Sequence, residues 1–267
     1  MPELPEVETF KEYFDETSLN QKIDNVFIRD HRVLNVQETI FKKTIKSNTF
    51  YSSVRHGKYL FSKLNSGFIA FHFGMSGDLK YFNDIKEEPN HSRILFEFTN
   101  GNFLSYVSQR MFGRVDLTND IADFIINKKN LGVDALKMNF EEFKKSLEKR
   151  TAFAKSALMN QSIIAGIGNI YSDEILFQAK IHPKTKINKI SNSKLRELFE
   201  TIKKVLKVGI EKKGILNTYP NEFIIPHRKI NEYCPNCRGK IQRFEISQRH
   251  GFYCPNCQIQ YNEISDE

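Results

Sequence analysis

The chain has 267 residues, which is long enough to bury one large hydrophobic core or two smaller ones. It contains nothing close to the roughly 18 consecutive apolar residues of a membrane-spanning helix, and its start lacks the apolar segment of a signal peptide, so we expect a soluble cytoplasmic protein. An excess of 40 basic over 32 acidic residues gives a formal net charge of +8, which favours a polyanionic partner.

The first predicted element is a helix close to the chain start. Pro5 suits the first helical turn, and Glu6 interacts favourably with the positive end of the helix dipole. Val7, Phe10 and Phe14 recur at helical spacing and form one apolar face. We therefore expect packing of this helix to hold the N-terminal residues in place.

A β-rich region is predicted over residues 22–117. Short segments rich in Val, Ile, Phe and Tyr alternate there with turn sequences such as Asn65–Gly67 and Asn100–Gly101. Residues 94–99 show the two-residue period of a strand with one apolar face. The pattern predicts an antiparallel sheet or sandwich.

The second half of the chain has the apolar spacing of helices, with a boundary near residue 130. Helices are predicted at Phe140–Leu147, Ala152–Met159, Asn169–Ala179 and Ser193–Lys212. The apolar side of the last one carries Leu195, Leu198, Phe199, Ile202, Leu206 and Ile210. Between Lys180 and Lys213, eleven Lys or Arg residues accompany three Glu residues, which favours nucleic-acid binding. The alternative is a Lys-rich coding bias that places lysines on solvated helix faces.

All four cysteines lie near the C-terminus, in two Cys-Pro-Asn-Cys motifs separated by sixteen residues. Cys234, Cys237, Cys254 and Cys257 supply four thiolates at the spacing of a tetrahedral zinc site on a hairpin. Four protein ligands leave no open position for water, so the expected Zn²⁺ is structural. The alternative, two disulfides, needs an oxidising compartment that nothing else in the sequence indicates.

Pro2 is a candidate nucleophile. Methionine aminopeptidase readily removes Met1 before a small residue, which leaves a secondary amine at the chain start. The reference pKa of an α-amino group is about 8, more than two units below that of lysine, so more of it is unprotonated and able to attack a carbonyl carbon. The alternative is that Pro2 is only a stiff terminal residue.

Other candidates are weaker when taken singly. Glu3 could act as a general acid or base, and Lys58 could act as a second nucleophilic amine or contact a phosphate. Taken singly, each is more often a solvated surface charge. Gly166–Asn169 is a glycine turn that opens a predicted helix, where backbone amides bind anions; it is otherwise an ordinary inter-helix turn. Arg249, near the tip of the metal hairpin, suits a bidentate phosphate contact.

Two predicted loops present side chains that suit insertion into a base stack. Residues 72–77 present Met75, and residues 109–113 present Arg110 and Phe112. The alternative is that these are core residues under loops.

Taken together, five ordered motifs resemble the formamidopyrimidine-DNA glycosylase family, which is related to endonuclease VIII. They span almost the whole chain: MPELPEVET at 1–9, RHGKYL at 55–60, HFGMSG at 72–77, GIGNIYSDE at 166–174 and SQRHGFYCPNCQ at 247–258. The resemblance implies an α+β fold with three parts. These are an N-terminal antiparallel β-sandwich catalytic domain (1–130), a helical helix-two-turn-helix DNA-binding domain (131–228) and a four-cysteine zinc-finger hairpin (229–267).

The resemblance also implies a role for each matched residue. Pro2 is the nucleophile at C1′ and Glu3 handles protons at the sugar, with Lys58 and Arg249 completing the catalytic set. The DNA-binding residues are His91, Arg110, Lys155 and Asn169, and the fillers of the void left by a flipped base are Met75, Arg110 and Phe112.

Three departures from the family pattern bear on specificity. Ser108–Gly113 replaces the usual Asp-Pro-Arg-Arg-Phe-Gly, which loses an arginine and a rigid proline. The segment Gly214–Arg228 is shorter than the family's usual loop, which often closes over 8-oxoguanine, and Ile225–Arg228 replaces Val-Tyr-Gly-Arg.

The sequence therefore predicts a monomeric DNA glycosylase and abasic-site lyase that acts on damaged double-stranded DNA, with one structural Zn²⁺ and no catalytic metal. It removes oxidised or ring-opened bases through a Pro2 Schiff base and cleaves the strand by β,δ-elimination. One alternative is a catalytically weak, zinc-dependent DNA-lesion or structure-binding protein. Another is a zinc-ribbon transcription or ribosomal accessory protein, which leaves the MPELPEVET start unexplained.

Overall fold

The computed structural model describes residues 1–261, which form two compact units. The first comprises Met1–Lys129, and the second begins at Asn130. Within the described residues, no helix has both the length and the apolar character needed to cross a bilayer.

Unit 1 contains two long helical segments and eight strands. Its helices are α1 (Leu4–Ser18), α2 (Glu38–Ile45) and the short α3 (Ile121–Asp123), which continues as a π-helical turn (Phe124–Lys128). Its strands are β1 (Ile23–Ile28), β2 (Ser53–His56), β3 (Tyr59–Lys63), β4 (Phe68–His72), β5 (Gly77–Phe82), β6 (Ser92–Phe98), β7 (Phe103–Ser108) and β8 (Arg114–Thr118). Short 3-10 turns occur at His31–Val33 and Ile85–Glu87.

The eight strands form two four-stranded antiparallel sheets, ordered β1-β6-β7-β5 and β2-β3-β4-β8. One apolar core joins residues of both sheets, such as Phe71 and Phe96, to Phe14 of α1 and Phe41 of α2. The predicted antiparallel sandwich is confirmed.

Two local predictions in unit 1 need correction. Helix α2 was not predicted, because its short amphipathic pattern lies within a region whose apolar segments are otherwise strands. The two-residue period of residues 94–99 predicts that Leu95 faces away from the apolar side of its strand, yet Leu95 is fully buried. It packs with Phe82 and Phe103 on the face opposite the main core, so both faces of β6 are partly covered.

Unit 2 is mainly helical. Its elements are β9 (Val133–Asp134), α4 (Phe140–Leu147), α5 (Ala154–Met159), β10 (Ile164–Ala165), α6 (Asn169–Gln178), α7 (Asn192–Glu211), β11 (Gln242–Ile246) and β12 (Arg249–Tyr253). Strands β9 and β10 pair in parallel, and β11 and β12 form an antiparallel hairpin. Further 3-10 turns occur at Ile187–Lys189, Leu216–Thr218 and Ile225–His227.

The four predicted helices of unit 2 are all present. Ser191 caps α7 by accepting the N–H of Lys194 at 3.3 Å. The buried face of α7 includes Val205, which the prediction omitted, and leaves Ile210 only half-buried.

Candidate active site and metal centre

The chain start lies against the β-sandwich of unit 1. Pro2 is half-buried and Glu3 is only 1% exposed, immediately before α1. The Glu6 carboxylate accepts the N–H of Glu3 at 2.7 Å, which satisfies one of the free donors at the start of the helix. The two candidate residues are therefore held by a capped helix.

Buried Arg55 ties α1 to the hairpin formed by β2 and β3. Its Nε donates to the Glu8 carboxylate at 2.5 Å, and its Nη1 donates to the carbonyl oxygen of Gly57 at 3.2 Å. Gly57 has a left-handed φ of +56°, and the turn that it opens carries Lys58. Arg55 thus links the chain start to the loop that carries the candidate lysine.

Lys58 is almost fully buried, and it influences a histidine that the sequence analysis did not single out. Burial, with a smaller contribution from the Lys58 charge, lowers the pKa of His72 to about 4. His72 is therefore neutral near pH 7, and its ring packs 4.7 Å from that of Tyr59, its partner on β3. The available sequence signal was its place at the head of the HFGMSG motif.

The two predicted loops of unit 1 adjoin each other. The N–H of Arg110 donates to the Ser76 hydroxyl at 3.0 Å. Gly74 has a φ of +60°, and a Cβ at this position would lie 2.4 Å from the carbonyl carbon of Phe112, so only glycine allows the close approach. Met75 is 38% exposed and Phe112 is 55% exposed.

The Arg110 guanidinium lies 5.9 Å from the ring of Phe112. The structure thus brings the three candidate void fillers onto neighbouring loops, with their side chains exposed.

His91 lies next to the end of β7, from which the loop with Arg110 begins. It is exposed, has a φ of +66°, and its ring Nδ1 lies 3.4 Å from a guanidinium nitrogen of Arg93. Its carbonyl oxygen accepts the N–H of Ser108, the last residue before the loop that carries Arg110.

In unit 2, Asn169 begins α6 and contacts the metal hairpin. Its Nδ2 donates to the carbonyl oxygen of His250 at 2.9 Å. Its Oδ1 is buried and has no hydrogen-bond partner among the described residues. The side chain therefore joins the start of α6 to β12.

Lys155 is fully buried beneath the start of α6. Its ammonium group donates to the carbonyl oxygen of Asn169 at 3.1 Å, the Ser172 hydroxyl at 2.8 Å and the Asp173 carboxylate at 2.6 Å. Asp173 was not singled out from the sequence; the available signal was an acidic residue within GIGNIYSDE, on the buried side of a predicted helix.

The tip of the metal hairpin is tighter than predicted. Turn-forming residue types extend over 247–251 in the sequence and predict a wider turn, but only Ser247 and Gln248 form it, with φ values of +52° and +59°. Two successive left-handed residues are typical of a type I′ turn, which matches the twist of a hairpin. Arg249 consequently begins β12, exposed and opposite Ile246, and its guanidinium makes no hydrogen bond or ion pair within residues 1–261.

A glycine allows this hairpin to lie against α6. A Cβ on Gly251 would lie 2.7 Å from a carboxylate oxygen of Asp173 and 2.4 Å from the ring of Phe244. The next residue, Phe252, donates its N–H to Asp173 at 3.0 Å. The position of Arg249 is thus fixed by contacts between β12 and α6.

The four cysteines form a compact sulfur cluster. All four Sγ atoms lie within 4.8 Å of one another, and Cys237 and Cys254 are 3.4 Å apart. Four thiolates bound tetrahedrally to zinc at about 2.3 Å place the sulfurs roughly 3.8 Å apart. None of the cysteines is in a disulfide. The geometry fits one structural Zn²⁺ and not the disulfide alternative.

The segment Gly214–Arg228 is compact and tied to α6. The hydroxyl groups of Tyr171 and Tyr219 lie 2.5 Å apart, and the Glu174 carboxylate accepts the N–H of Ile225 at 2.9 Å. Glu174 is fully buried, and its burial raises the pKa of this carboxyl group to about 8.

Three family models match the chain in succession. Residues 1–115 match the formamidopyrimidine-DNA glycosylase N-terminal domain, residues 131–220 match the formamidopyrimidine-DNA glycosylase H2TH domain, and residues 231–259 match a zinc finger found in FPG and IleRS. The predicted helix-two-turn-helix and zinc-finger parts of the fold are thereby confirmed.

Relatives and solved structures cover nearly the full chain. A formamidopyrimidine-DNA glycosylase of Ligilactobacillus salivarius is 33% identical over 275 residues, covering 97% of this chain and 99% of the relative. A structure of Lactococcus lactis FPG with DNA containing FAPY-dG has a TM-score of 0.86 and 27% identity, covering 96% and 99% of the two chains. MutM in complex with DNA containing carbocyclic 8-oxo-G has a TM-score of 0.87 and 27% identity, covering 97% and 100%.

Proposed function

Since the chain belongs to the formamidopyrimidine-DNA glycosylase family, we propose that it removes oxidised or ring-opened bases from duplex DNA and then cleaves the strand at the resulting abasic site. The observation that carries the proposal is the 33% identity to a relative over 97% of this chain. The DNA complexes of similar structures support damaged DNA as the partner.

Unit 1 supplies the covalent chemistry in this proposal. After removal of Met1, the Pro2 nitrogen attacks C1′ of the damaged nucleotide, and the N-glycosidic bond breaks as the base leaves with a proton. Glu3, held at the start of α1, moves protons at the sugar ring. Opening of the ring gives an iminium between Pro2 and C1′, which acidifies the C2′ proton. Loss of that proton breaks the C3′–O bond, and a second elimination breaks the C5′–O bond.

The same unit supplies the groups that occupy the space left by the extruded nucleotide. Extrusion costs a few kcal/mol of stacking and pairing. Met75 and Phe112 are exposed on adjoining loops, and Arg110 adds a cation beside them. We assign Lys58 to the lesion phosphate and base, and His91 to the DNA backbone.

Unit 2 supplies the phosphate grip. Asn169 opens α6, and the positive end of a helix dipole attracts anions, while Arg249 presents an exposed guanidinium at the hairpin tip. Lys155 belongs to this set through its hydrogen bonds to Asn169 and Asp173, because its buried ammonium group positions the start of α6. The zinc ion stiffens the hairpin and takes no part in the chemistry.

The short Gly214–Arg228 segment bears on which bases are removed. Its ties to α6 through Tyr171 and Glu174 support a fixed segment in place of a long closing loop. We therefore assign better activity on oxidised pyrimidines and ring-opened purines than on 8-oxoguanine. Because the relatives are bacterial repair enzymes, we place the protein, as a monomer, in the cytoplasm with the chromosome.

Borohydride trapping on abasic-site DNA tests the proposed chemistry. The expected result is a covalent adduct that disappears in Pro2→Gly and in a form with an N-terminal extension. An adduct that persists in both variants would transfer the nucleophile to a lysine such as Lys58. Binding of lesion DNA with no adduct in any form would support the weak lesion-binding alternative, and preferred binding of RNA or undamaged promoter DNA would support the accessory-protein alternative.

A further inference from the structure

A surface pocket on unit 2 lies outside the site residues described above. It has a volume of about 210 Å³. Its lining residues are Phe153, Lys184, Lys186, Lys189, Gln260 and Tyr261. Three of the six are cationic and none is acidic. Within the described part of the chain, none of the three ammonium groups forms an ion pair.

The main chain holds these lysines in place. The N–H of Ala154 donates to the carbonyl oxygen of Thr185 at 2.8 Å, and the N–H of Ile187 donates to that of Ala152 at 2.9 Å. Thr185 and Ile187 are buried, whereas Lys184 and Lys186 between and beside them are exposed. The alternation is that of an extended segment with one inward face. The cations are therefore displayed by a fixed backbone.

The pocket combines features of a nucleic-acid surface. Three like charges around one cavity repel one another, and a bound polyanion relieves that repulsion. Phe153 is 39% exposed at the same pocket, and its ring forms an apolar wall beside the cations. The pocket also accounts for part of the positive charge that the sequence concentrates between Lys180 and Lys213.

We propose that the pocket formed by Phe153, Lys184, Lys186 and Lys189 is a second DNA phosphate-binding site, separate from the grip of Asn169 and Arg249. The inference rests on the proposed function for its ligand, duplex DNA. The site contributes non-specific affinity through counterion release and does not touch the reacting nucleotide. Removing its charges should therefore lower the affinity for DNA without changing the rate of base excision.

The test compares two triple variants that each remove three positive charges from unit 2. The pocket variant is K184Q/K186Q/K189Q. The control is K204Q/K207Q/K213Q, whose lysines are exposed on or just after α7 and do not line the pocket. Binding of undamaged duplex is measured between low and moderate salt. The slope of log K against log salt should fall by about 2 to 3 in the pocket variant, and by less than half as much in the control. Equal changes in both variants would overturn the proposal.

Two further measurements separate this site from the proposed function. Single-turnover excision at saturating enzyme should stay within about twofold of the unaltered protein, since no reacting group is changed. If the pocket variant excises normally and its salt slope is unchanged, the pocket proposal alone is refuted. If the unaltered protein shows no excision, the proposed function is refuted, and the comparison of salt slopes stays valid. Inorganic phosphate is the second probe: if it shifts the NMR signals of Phe153 while the DNA slope is unchanged, the pocket binds free anions and not DNA.

Discussion

The ammonium group of Lys155 lies 2.6 Å from the carboxylate of Asp173, and both side chains are fully buried. The second oxygen of Asp173 accepts from the Arg228 guanidinium at 2.8 Å and from the N–H of Phe252 at 3.0 Å. One carboxylate therefore joins four parts of unit 2. These are α5, α6, strand β12 and the segment that ends at Arg228, before the metal hairpin. The phosphate grip assigned to Asn169 and Arg249 depends on this buried network.

Asp173→Asn should destabilise unit 2 strongly. Loss of the carboxylate charge leaves the buried ammonium of Lys155 without its counter-charge, which costs about 3 to 5 kcal/mol. Denaturant unfolding measures the loss. Glu197→Gln is the control, because it removes the exposed partner of Lys194 and should cost less than about 1 kcal/mol. Similar losses in the two variants would show that the buried pair contributes no more than a surface pair.

Arg249→Ala should weaken binding to lesion DNA and lower its salt slope by about 1, as expected for one lost phosphate contact. Zinc content should not change, because the arginine does not belong to the sulfur cluster. Fluorescence anisotropy across a salt series measures both quantities. Arg243→Ala, exposed on the neighbouring strand β11, is the matched control. Unchanged affinity of Arg249→Ala at moderate salt would count against the grip.

Removal of zinc should unfold the hairpin and abolish DNA binding. Without the metal, nothing bridges the four sulfur atoms, and few apolar residues remain to hold β11 and β12 together. Metal analysis, circular dichroism and binding assays before and after chelation test this. A zinc-free preparation that retains full activity would contradict a structural metal.

Glu174 should make the protein less stable as the pH rises from 4.5 to about 8. Burial raises its folded pKa from 4.5 to about 8, so the folded state retains a proton that the unfolded state has lost. The stabilising contribution is full below pH 4.5 and is lost as the pH rises through 8, at up to about 1.4 kcal/mol per pH unit. Unfolding free energies of the unaltered protein and Glu174→Gln should therefore diverge with increasing pH. Parallel profiles between pH 5 and 9 would contradict this.

Excision rates on a panel of defined lesions should rank oxidised pyrimidines and ring-opened purines above 8-oxoguanine. The physical reason is the short Gly214–Arg228 segment, which is held against α6 by Tyr219 and Ile225. Duplex substrates that differ only in the damaged base provide the comparison. Strong preference for 8-oxoguanine opposite cytosine would overturn the assignment.

The sequence by itself determined the features that depend on local spacing. Helix α4 begins and ends where its apolar period predicts, and the four cysteines form the cluster that their two motifs predict. The loops that present Met75 and Phe112 also lie between strands, as predicted. In each case residues close in sequence carry the whole signal.

Only the tertiary structure decided which charged side chains are buried and what they contact. From the sequence alone, Lys155 is expected to lie at the surface, as most lysines do. It lies beneath α6 because Asp173, eighteen residues later, supplies the compensating charge. Leu95 is likewise buried by Phe82 and Phe103, which lie on two other strands of its sheet, so its burial follows from strand pairing and not from its own position in the chain. Burial and charge pairing are long-range properties, because they depend on which elements pack together and not on the residues beside them in the chain.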